Sequence, residues 1–240
     1  MKALILAAGL GTRMLPLTNE RPKCLLPLAG RPLMAHILEL LRRHGFEEVF
    51  INLYWHAAAI RESIGDGRSF GLSIQYLGEE ELSGTAGPIR KLASDLGDDR
   101  FLVMNGDNLT DLDLTSLIEF HRNAVAELTV ALHREDAVDL PQKSVVQTDR
   151  DGRITAFVEK PDHAQLFSEW SSGGVYVFEP SLIECIPTDR PYDIGHDLIP
   201  SLLTDGRRVF GFKSDFYLVD IGTPQAYARA EGDLVAGRVG

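Results

Sequence analysis

Apolar residues fall in two kinds of run that alternate along the chain. Short compact runs at 3–7, 48–53, 73–76, 101–104 and 127–132 predict strands. Between them, 33–44, 57–64, 87–96 and 114–123 predict helices. In 33–44, Leu33, Ile37, Leu40 and Leu41 share one face and Gly45 follows as a stop. Strand–helix alternation of this kind predicts an α/β fold: a three-layer α/β/α sandwich on a mixed, mostly parallel sheet covered on both faces. The pattern changes after residue 140. Runs 145–148 and 154–159 flank Asp149-Arg150-Asp151-Gly152, a hairpin signal. Further strands are expected at 174–178, 209–212 and 217–220, and helices at 194–203 and 225–236. The second half therefore reads as more antiparallel. No Pro-, Ser- or Gly-rich linker and no internal repeat interrupts the chain, which predicts a single domain over 1–240. Ligands are expected in the crevice at the carboxyl ends of the strands.

Composition narrows the classes. With 240 residues and 44% hydrophobic content, the chain can bury a sizeable core without disulfides or metals. Its formal net charge of −11 argues against nucleic-acid and anionic-membrane partners, which need a basic face. A few local cations could still hold a small phosphate. Cys24 and Cys185 form no metal-type spacing, which predicts a reduced, cytoplasmic chain. The opening run 2–8 is too short for a signal peptide core or a membrane span. The seven histidines show no ligand spacing; His36, His44 and His121 are expected to be surface or packing residues.

Candidate chemistry begins directly after the first strand, at Leu6-Ala7-Ala8-Gly9-Leu10-Gly11-Thr12-Arg13. Gly9 and Gly11 permit tight turning and close backbone approach to phosphate, and Arg13 offers a fork of donors. Met14 stands where a dinucleotide fingerprint needs glycine, and no Gly-Lys-Ser/Thr ending makes a P-loop. Next comes Arg21-Pro22-Lys23-Cys24-Leu25-Leu26-Pro27, which sets Lys23 in a loop stiffened by prolines. Four further segments follow: Asn105-Gly106-Asp107-Asn108, Val158-Glu159-Lys160-Pro161, Ser171-Ser172-Gly173-Gly174 and Asp220-Ile221-Gly222-Thr223-Pro224. Each has a plainer reading taken singly: an Asx-type turn, an exposed ion pair, a Gly-rich strand lead-in, a helix-start turn.

Taken together and in this order, the segments resemble the signature of the sugar-1-phosphate nucleotidyltransferases, the nucleotide-sugar pyrophosphorylases. The resemblance implies a Rossmann-like fold, with a nucleotide-binding half over about 1–125 and a sugar-binding half over about 126–240. Many members of that family continue into a C-terminal β-helix of hexapeptide repeats; this sequence shows no such repeats, so no such domain is expected here. The resemblance also implies two substrates, a nucleoside triphosphate and a sugar 1-phosphate. Leu6, Ala7, Ala8, Gly9, Gly11, Thr12 and Arg13 would line the nucleotide. Arg13 and Lys23 would be catalytic, Asn105, Glu159, Lys160, Ser172 and Gly174 would hold the sugar phosphate, and Asp107 and Asp220 would bind Mg²⁺. A homodimer is the default expectation for assembly.

The base-reading stretch is Glu79-Glu80-Glu81-Leu82-Ser83-Gly84-Thr85-Ala86-Gly87. Gly84 and Thr85 resemble the corresponding stretch of mannose-1-phosphate guanylyltransferases. A carboxylate at Glu79 could accept from guanine N1–H and N2–H, with uracil as the main competitor. GTP with a mannose- or heptose-type 1-phosphate is therefore expected. The alternatives are uridylyl or thymidylyl transfer, or a non-catalytic sensor of nucleotide and sugar phosphate. A sensor would be expected to lose Arg13, Lys23, Asp107 or Asp220, and all four are present. Asp111-Leu112-Asp113 could be mistaken for a glycosyltransferase metal motif; Asp113 is preferred as an N-cap for the helix from Leu114.

Overall fold

The computed structural model describes residues 1–136 and 139–239. In chain order the strands that matter here are β1 (Lys2–Leu6), β2 (Glu48–Leu53), β3 (Ser73–Gly78), β4 (Phe101–Asn105), β5 (Asn108–Thr110), β6 (Leu128–Arg134), β7 (Ser144–Thr148), β8 (Ile154–Glu159), β9 (Trp170–Phe178), β10 (Val209–Lys213) and β11 (Leu218–Asp220). The helices are α1 (Leu33–Arg43), α2 (Ala57–Ile64), α3 (Gly87–Lys91), α4 (Ala93–Leu96), α5 (Leu114–Asn123), α6 (Ile199–Thr204) and α7 (Pro224–Val235). This is the expected α/β fold with parallel and antiparallel pairing. The chain forms two compact units, one of residues 1–82, 104–113 and 216–240, the other of residues 83–103 and 114–215.

In the first unit, β1, β2 and β3 pair in parallel, with Leu4 opposite Phe50 and Phe50 opposite Gln75. Ala3, Leu4 and Ile5 are fully buried, as strands covered on both faces must be. Helix α1 supplies much of the cover: Leu33, Met34, Ala35, Ile37, Leu38, Leu40 and Leu41 are all buried. It ends where predicted. Gly45 takes φ +78°, its N–H reaching Arg42 O while Phe46 N–H reaches Leu41 O. Strands β5 and β11 form a separate antiparallel pair, with Asn108 opposite Asp220.

In the second unit, β6 is central, antiparallel to β9 and parallel to β10. The predicted hairpin is present as β7–β8. Phe101 and Phe178 stack with centroids 5.5 Å apart, and Phe120 of α5 packs at 5.4 Å on Phe212 of β10.

Three elements differ from expectation. The helix expected over 87–96 divides at Leu92, which takes φ −95°, ψ 15° while its side chain stays buried. The helix expected over 194–203 opens with a π turn, Ile194–Leu198, before α6. Pro200 has no N–H to donate, so a uniform α ladder cannot run through it. The strand expected at 174–178 starts earlier, at Trp170, and its register against β6 shifts between Ser172 and Tyr176. Gly174, at φ +67°, supplies the left-handed residue in that irregularity. The short strand β5 was not expected at all. No described helix is long and apolar enough to cross a membrane.

Phe178 is fully buried in the ring stack. Phe178→Ala is expected to lower unfolding free energy by about 3–5 kcal/mol, measured by urea denaturation followed by circular dichroism.

Candidate active site

The first unit holds a cluster of opposite charges built from three loops. The first loop leaves β1 at Leu6. Ala7 N–H donates to Asn52 Oδ1 at 2.8 Å, and Asn52 Nδ2 donates to Glu79 Oε2 at 2.8 Å. Asn52 thus ties the exit of β1 to the predicted base-reading carboxylate. Gly11 sits at φ +65°, and its carbonyl accepts from Thr18 Oγ1 at 2.8 Å. A β-carbon at Gly11 would lie 3.1 Å from Thr18 Cγ2, whereas one at Gly9 would meet nothing within 4 Å. Gly9 is therefore not required by packing, which leaves its backbone open to a ligand. Thr12–Met14 form a 3-10 turn anchored by the fully buried Met14, which leaves Arg13 exposed.

The second loop is the turn after β4. Gly106 N–H donates to Leu6 O at 2.8 Å, and a β-carbon at Gly106 would come within 2.9 Å of that same oxygen. Only glycine allows the turn so close to the end of β1, and Asp107 follows it. The third loop is fixed by register. Asn108 opposes Asp220, and Ile221 N–H donates to Asp107 O at 3.0 Å, so the two aspartates are neighbours across the β5–β11 pair.

Lys23, on a 3-10 turn behind Pro22, completes the cluster. Its Nζ donates to Asp107 Oδ2 at 2.6 Å and to Asp220 Oδ1 at 3.2 Å. Its side chain is 13% exposed. Burial pulls the ammonium's pKa down, but the charges and hydrogen bonds of Asp107 and Asp220 outweigh it and the net direction is up. Lys23 is thus a fixed cation. A β-carbon on Gly222 would lie 2.9 Å from Asp220 Oδ1 and 3.0 Å from Arg13 Nη2, which places the Arg13 guanidinium beside the same carboxylate. The neighbouring thiol, Cys24, is pushed up to about 12, chiefly by burial, which excludes it as a thiolate nucleophile.

Asp107 and Asp220 suit a hard divalent cation. Both offer oxygens to one positive centre, and no third His, Cys, Asp or Glu joins them among the described residues. Two carboxylates with the remaining positions left for phosphate and water is a donor set suited to Mg²⁺.

The second unit carries the other predicted groups. Gly84, at φ +78°, lies so close to the Tyr192 backbone that a β-carbon there could not fit. Thr85 N–H and Oγ1 both donate to Asp193 Oδ1, at 3.2 and 3.0 Å, and Ile194 N–H donates to Thr85 Oγ1 at 2.8 Å. Segments 83–86 and 192–194 are thereby strapped together. Glu159, at the end of β8, is pushed up by burial, with His196 and Lys160 opposing. A β-carbon on Gly195 would come within 2.6 Å of Glu159 Oε2. Lys160 takes φ +48° and its N–H donates to Lys143 O at 2.7 Å. Ser172 Oγ donates to Tyr176 Oη at 3.1 Å and accepts from Gly174 N–H at 3.2 Å. Asn105 ends β4, next to Gly106 in the first unit.

Sequence reasoning missed Asn52, Asp193 and Gly195. Asn52 did leave a signal: a lone amide, 3% exposed, in a strand whose residues from Val49 to Leu53 are otherwise apolar and buried. Asp193 left none, since its partner Thr85 is 108 positions away. Of the histidines, His121 is a packing residue, held between Thr129 Oγ1 and Glu179 Oε1. His36 bonds Leu28 O, and His44 lies 3.7 Å from Asp113.

The parallel sheet of the first unit thus carries a glycine loop, Arg13, Lys23 and two facing carboxylates, charged groups of the kind that phosphate chemistry needs. The chain belongs to the nucleotidyl transferase family, whose profile matches residues 2–236. It is 38% identical to a UTP–glucose-1-phosphate uridylyltransferase of Synechocystis sp., over 96% of this chain and 62% of that protein. It is 37% identical to a mannose-1-phosphate guanylyltransferase of Mycobacterium tuberculosis, over 98% and 65%. A D-glycero-alpha-D-manno-heptose 1-phosphate guanylyltransferase of Aneurinibacillus thermoaerophilus is 32% identical over 98% of both chains. The chain thus spans less than two thirds of the first two relatives and nearly all of the third. A Bacillus anthracis protein solved in complex with a sucrose superposes with a TM-score of 0.87 at 26% identity, covering 97% of this chain and 94% of that one.

Asn52→Ala removes the acceptor for buried Ala7 N–H and the donor to Glu79. It is expected to cost about 1–3 kcal/mol of stability, read as a lower urea midpoint at unchanged m.

Proposed function

We propose that this chain catalyses NTP + sugar 1-phosphate → NDP-sugar + pyrophosphate as one nucleotidyltransferase domain over 1–240, with GTP and a mannose- or heptose-type 1-phosphate as substrates. The observation that carries the reading is the Lys23 ammonium held against both Asp107 and Asp220, with Arg13 beside them. In the proposed step a sugar-phosphate oxygen forms a bond to the α-phosphorus. The bond from that phosphorus to the α–β bridging oxygen breaks, and pyrophosphate leaves with the electron pair. A phosphate monoester is already largely dianionic at neutral pH, its second pKa being about 6, so no general base is needed. The obstacle is repulsion between anions: unit charges 4 Å apart interact by about 4 kcal/mol at an effective dielectric near 20. Catalysis is then positioning plus charge neutralisation.

Arg13 holds the departing phosphates and Lys23 the charge developing at the α-phosphate. Leu6, Ala7, Ala8, Gly9, Gly11 and Thr12 line the nucleotide. Glu79, oriented by Asn52, reads the base, and Gly84 and Thr85 belong to the nucleotide-binding set. Lys160 binds the sugar phosphate, and Glu159, Asn105, Ser172 and Gly174 bind the sugar. Asp107 and Asp220 would hold Mg²⁺, which when bound supplies further neutralisation of phosphate charge. Guanine is favoured by the carboxylate at Glu79, whose oxygens can accept both guanine donors. The uridylyl alternative is favoured by the name of the Synechocystis relative. The chain's place in the cytoplasm and its self-association as a dimer belong to this proposal as well.

Pyrophosphate release, measured with five NTPs against mannose, heptose and glucose 1-phosphates in Mg²⁺, tests the reading. The largest rate is expected with GTP; release with no pair would reject the enzyme reading. Lys23→Ala is expected to lower kcat by about 10²–10³, the scale for one preorganised donor. Asp220→Asn is expected to raise the Mg²⁺ concentration at half-maximal rate, and an unchanged metal response would remove Asp220 from that role.

A further inference from the structure

A second cationic site lies within the second unit. A pocket of about 280 Å³ is lined by Arg100, Arg122, Arg208, Ser181, Glu127 and Glu179, with Val125 and Ala126 as its apolar side. The two glutamates are already engaged. Glu127 accepts from Arg207 Nη2 at 2.8 Å and from Arg208 N–H at 2.9 Å. Glu179 Oε1 accepts from Arg100 Nη2 at 3.1 Å and lies 3.2 Å from His121 Nε2. Arg100 Nη1, by contrast, is buried with no hydrogen-bond partner among the described residues. The guanidiniums of Arg122 and Arg208 are exposed and pair with no carboxylate among the described residues. What the pocket offers a ligand is therefore a surplus of planar donors, in a chain whose overall charge is −11.

Two further features point the same way. Val125 takes φ +50°, an unusual conformation for a β-branched residue, and is 62% exposed at the pocket's edge. It presents an apolar surface beside the donors, as a ligand with a phosphate and a less polar remainder would need. The pocket also lies at the opposite end of β6 from the predicted sugar-binding serine. Leu128 and Phe178 pair beside it, whereas Ser172 pairs with Leu132, four residues or about 13 Å along the strand. It draws on none of Arg13, Lys23, Asp107, Asp220, Glu159 or Lys160.

We propose that this pocket binds a small phosphate-bearing anion through the guanidiniums of Arg100, Arg122 and Arg208. The inference does not rest on the reaction proposed above. Inorganic pyrophosphate is the probe, titrated calorimetrically into the full chain without divalent metal. Two double variants separate the sites. Arg13→Gln with Lys23→Gln is expected to retain binding at the arginine pocket. Arg122→Gln with Arg208→Gln, both at exposed positions, is expected to weaken that binding at least tenfold while leaving the unfolding midpoint unchanged. Mapping phenylglyoxal-modified peptides by mass spectrometry gives an independent readout, in which pyrophosphate is expected to slow modification of Arg122 and Arg208 at least threefold. Loss of all binding in the Arg13/Lys23 variant, parent-like binding in the Arg122/Arg208 variant, or no protection of these two arginines would overturn the proposal.

Discussion

The ammonium of Lys23 between two aspartates is the contact on which the rest of the site depends. It joins positions 23, 107 and 220, from three separate stretches of chain, at 2.6 and 3.2 Å. Burying a cation carries a desolvation cost that the facing carboxylates must offset, and the raised pKa of Lys23 shows that they do. Each partner is held by backbone rather than by the ion pair alone. Pro22 restricts the backbone before Lys23, Gly106 lets the Asp107 turn close onto the end of β1, and the β5–β11 register sets Asp220 beside it. Removing the ammonium would leave two carboxylates facing each other without a counterpart, and removing either carboxylate would leave the ammonium with one partner, so the three act as a unit.

The two units handle polar groups in different ways. In the first, full charges dominate: Arg13, Lys23, Asp107 and Asp220. In the second, hydroxyls, backbone N–H groups and close glycine contacts do most of the shaping, as in the Ser172–Tyr176–Gly174 set and the Thr85–Asp193 strap. Phosphate chemistry needs strong opposing charge, whereas recognition of a base or sugar needs directional donors and acceptors at close range. The family's name fits the first kind of site, and Arg100, Arg122 and Arg208 at the far end of β6 show that cationic character is not confined to it.

The strand–helix alternation was legible because buried strands and one-sided helices leave different apolar periods in the chain. The 2–6 and 48–53 strands and the 33–43 helix follow that rule closely. Arg13, Lys23, Asp107 and Asp220 were singled out for another reason: each sits in one of the short glycine- or proline-marked segments whose order along the chain resembles the family's signature. What escaped was long-range or ladder-specific. Helix 87–96 broke at a buried Leu92, a π turn over 194–198 opened the helix that contains Pro200, and among the described residues β5 pairs only with 218–220.

The sequence alone determined the α/β class, the glycine and proline punctuation of the loops, and the residue types able to meet phosphate. Those are local properties, carried by backbone freedom, apolar spacing and side-chain chemistry. Only the tertiary structure decided which of those residues meet. Strand register set Asp107 beside Asp220, a single amide at Asn52 linked the exit of β1 to Glu79, and Asp193 captured Thr85 from 108 positions away. Such contacts depend on distances between segments far apart in the chain, and nothing in the spacing of letters along it encodes those distances.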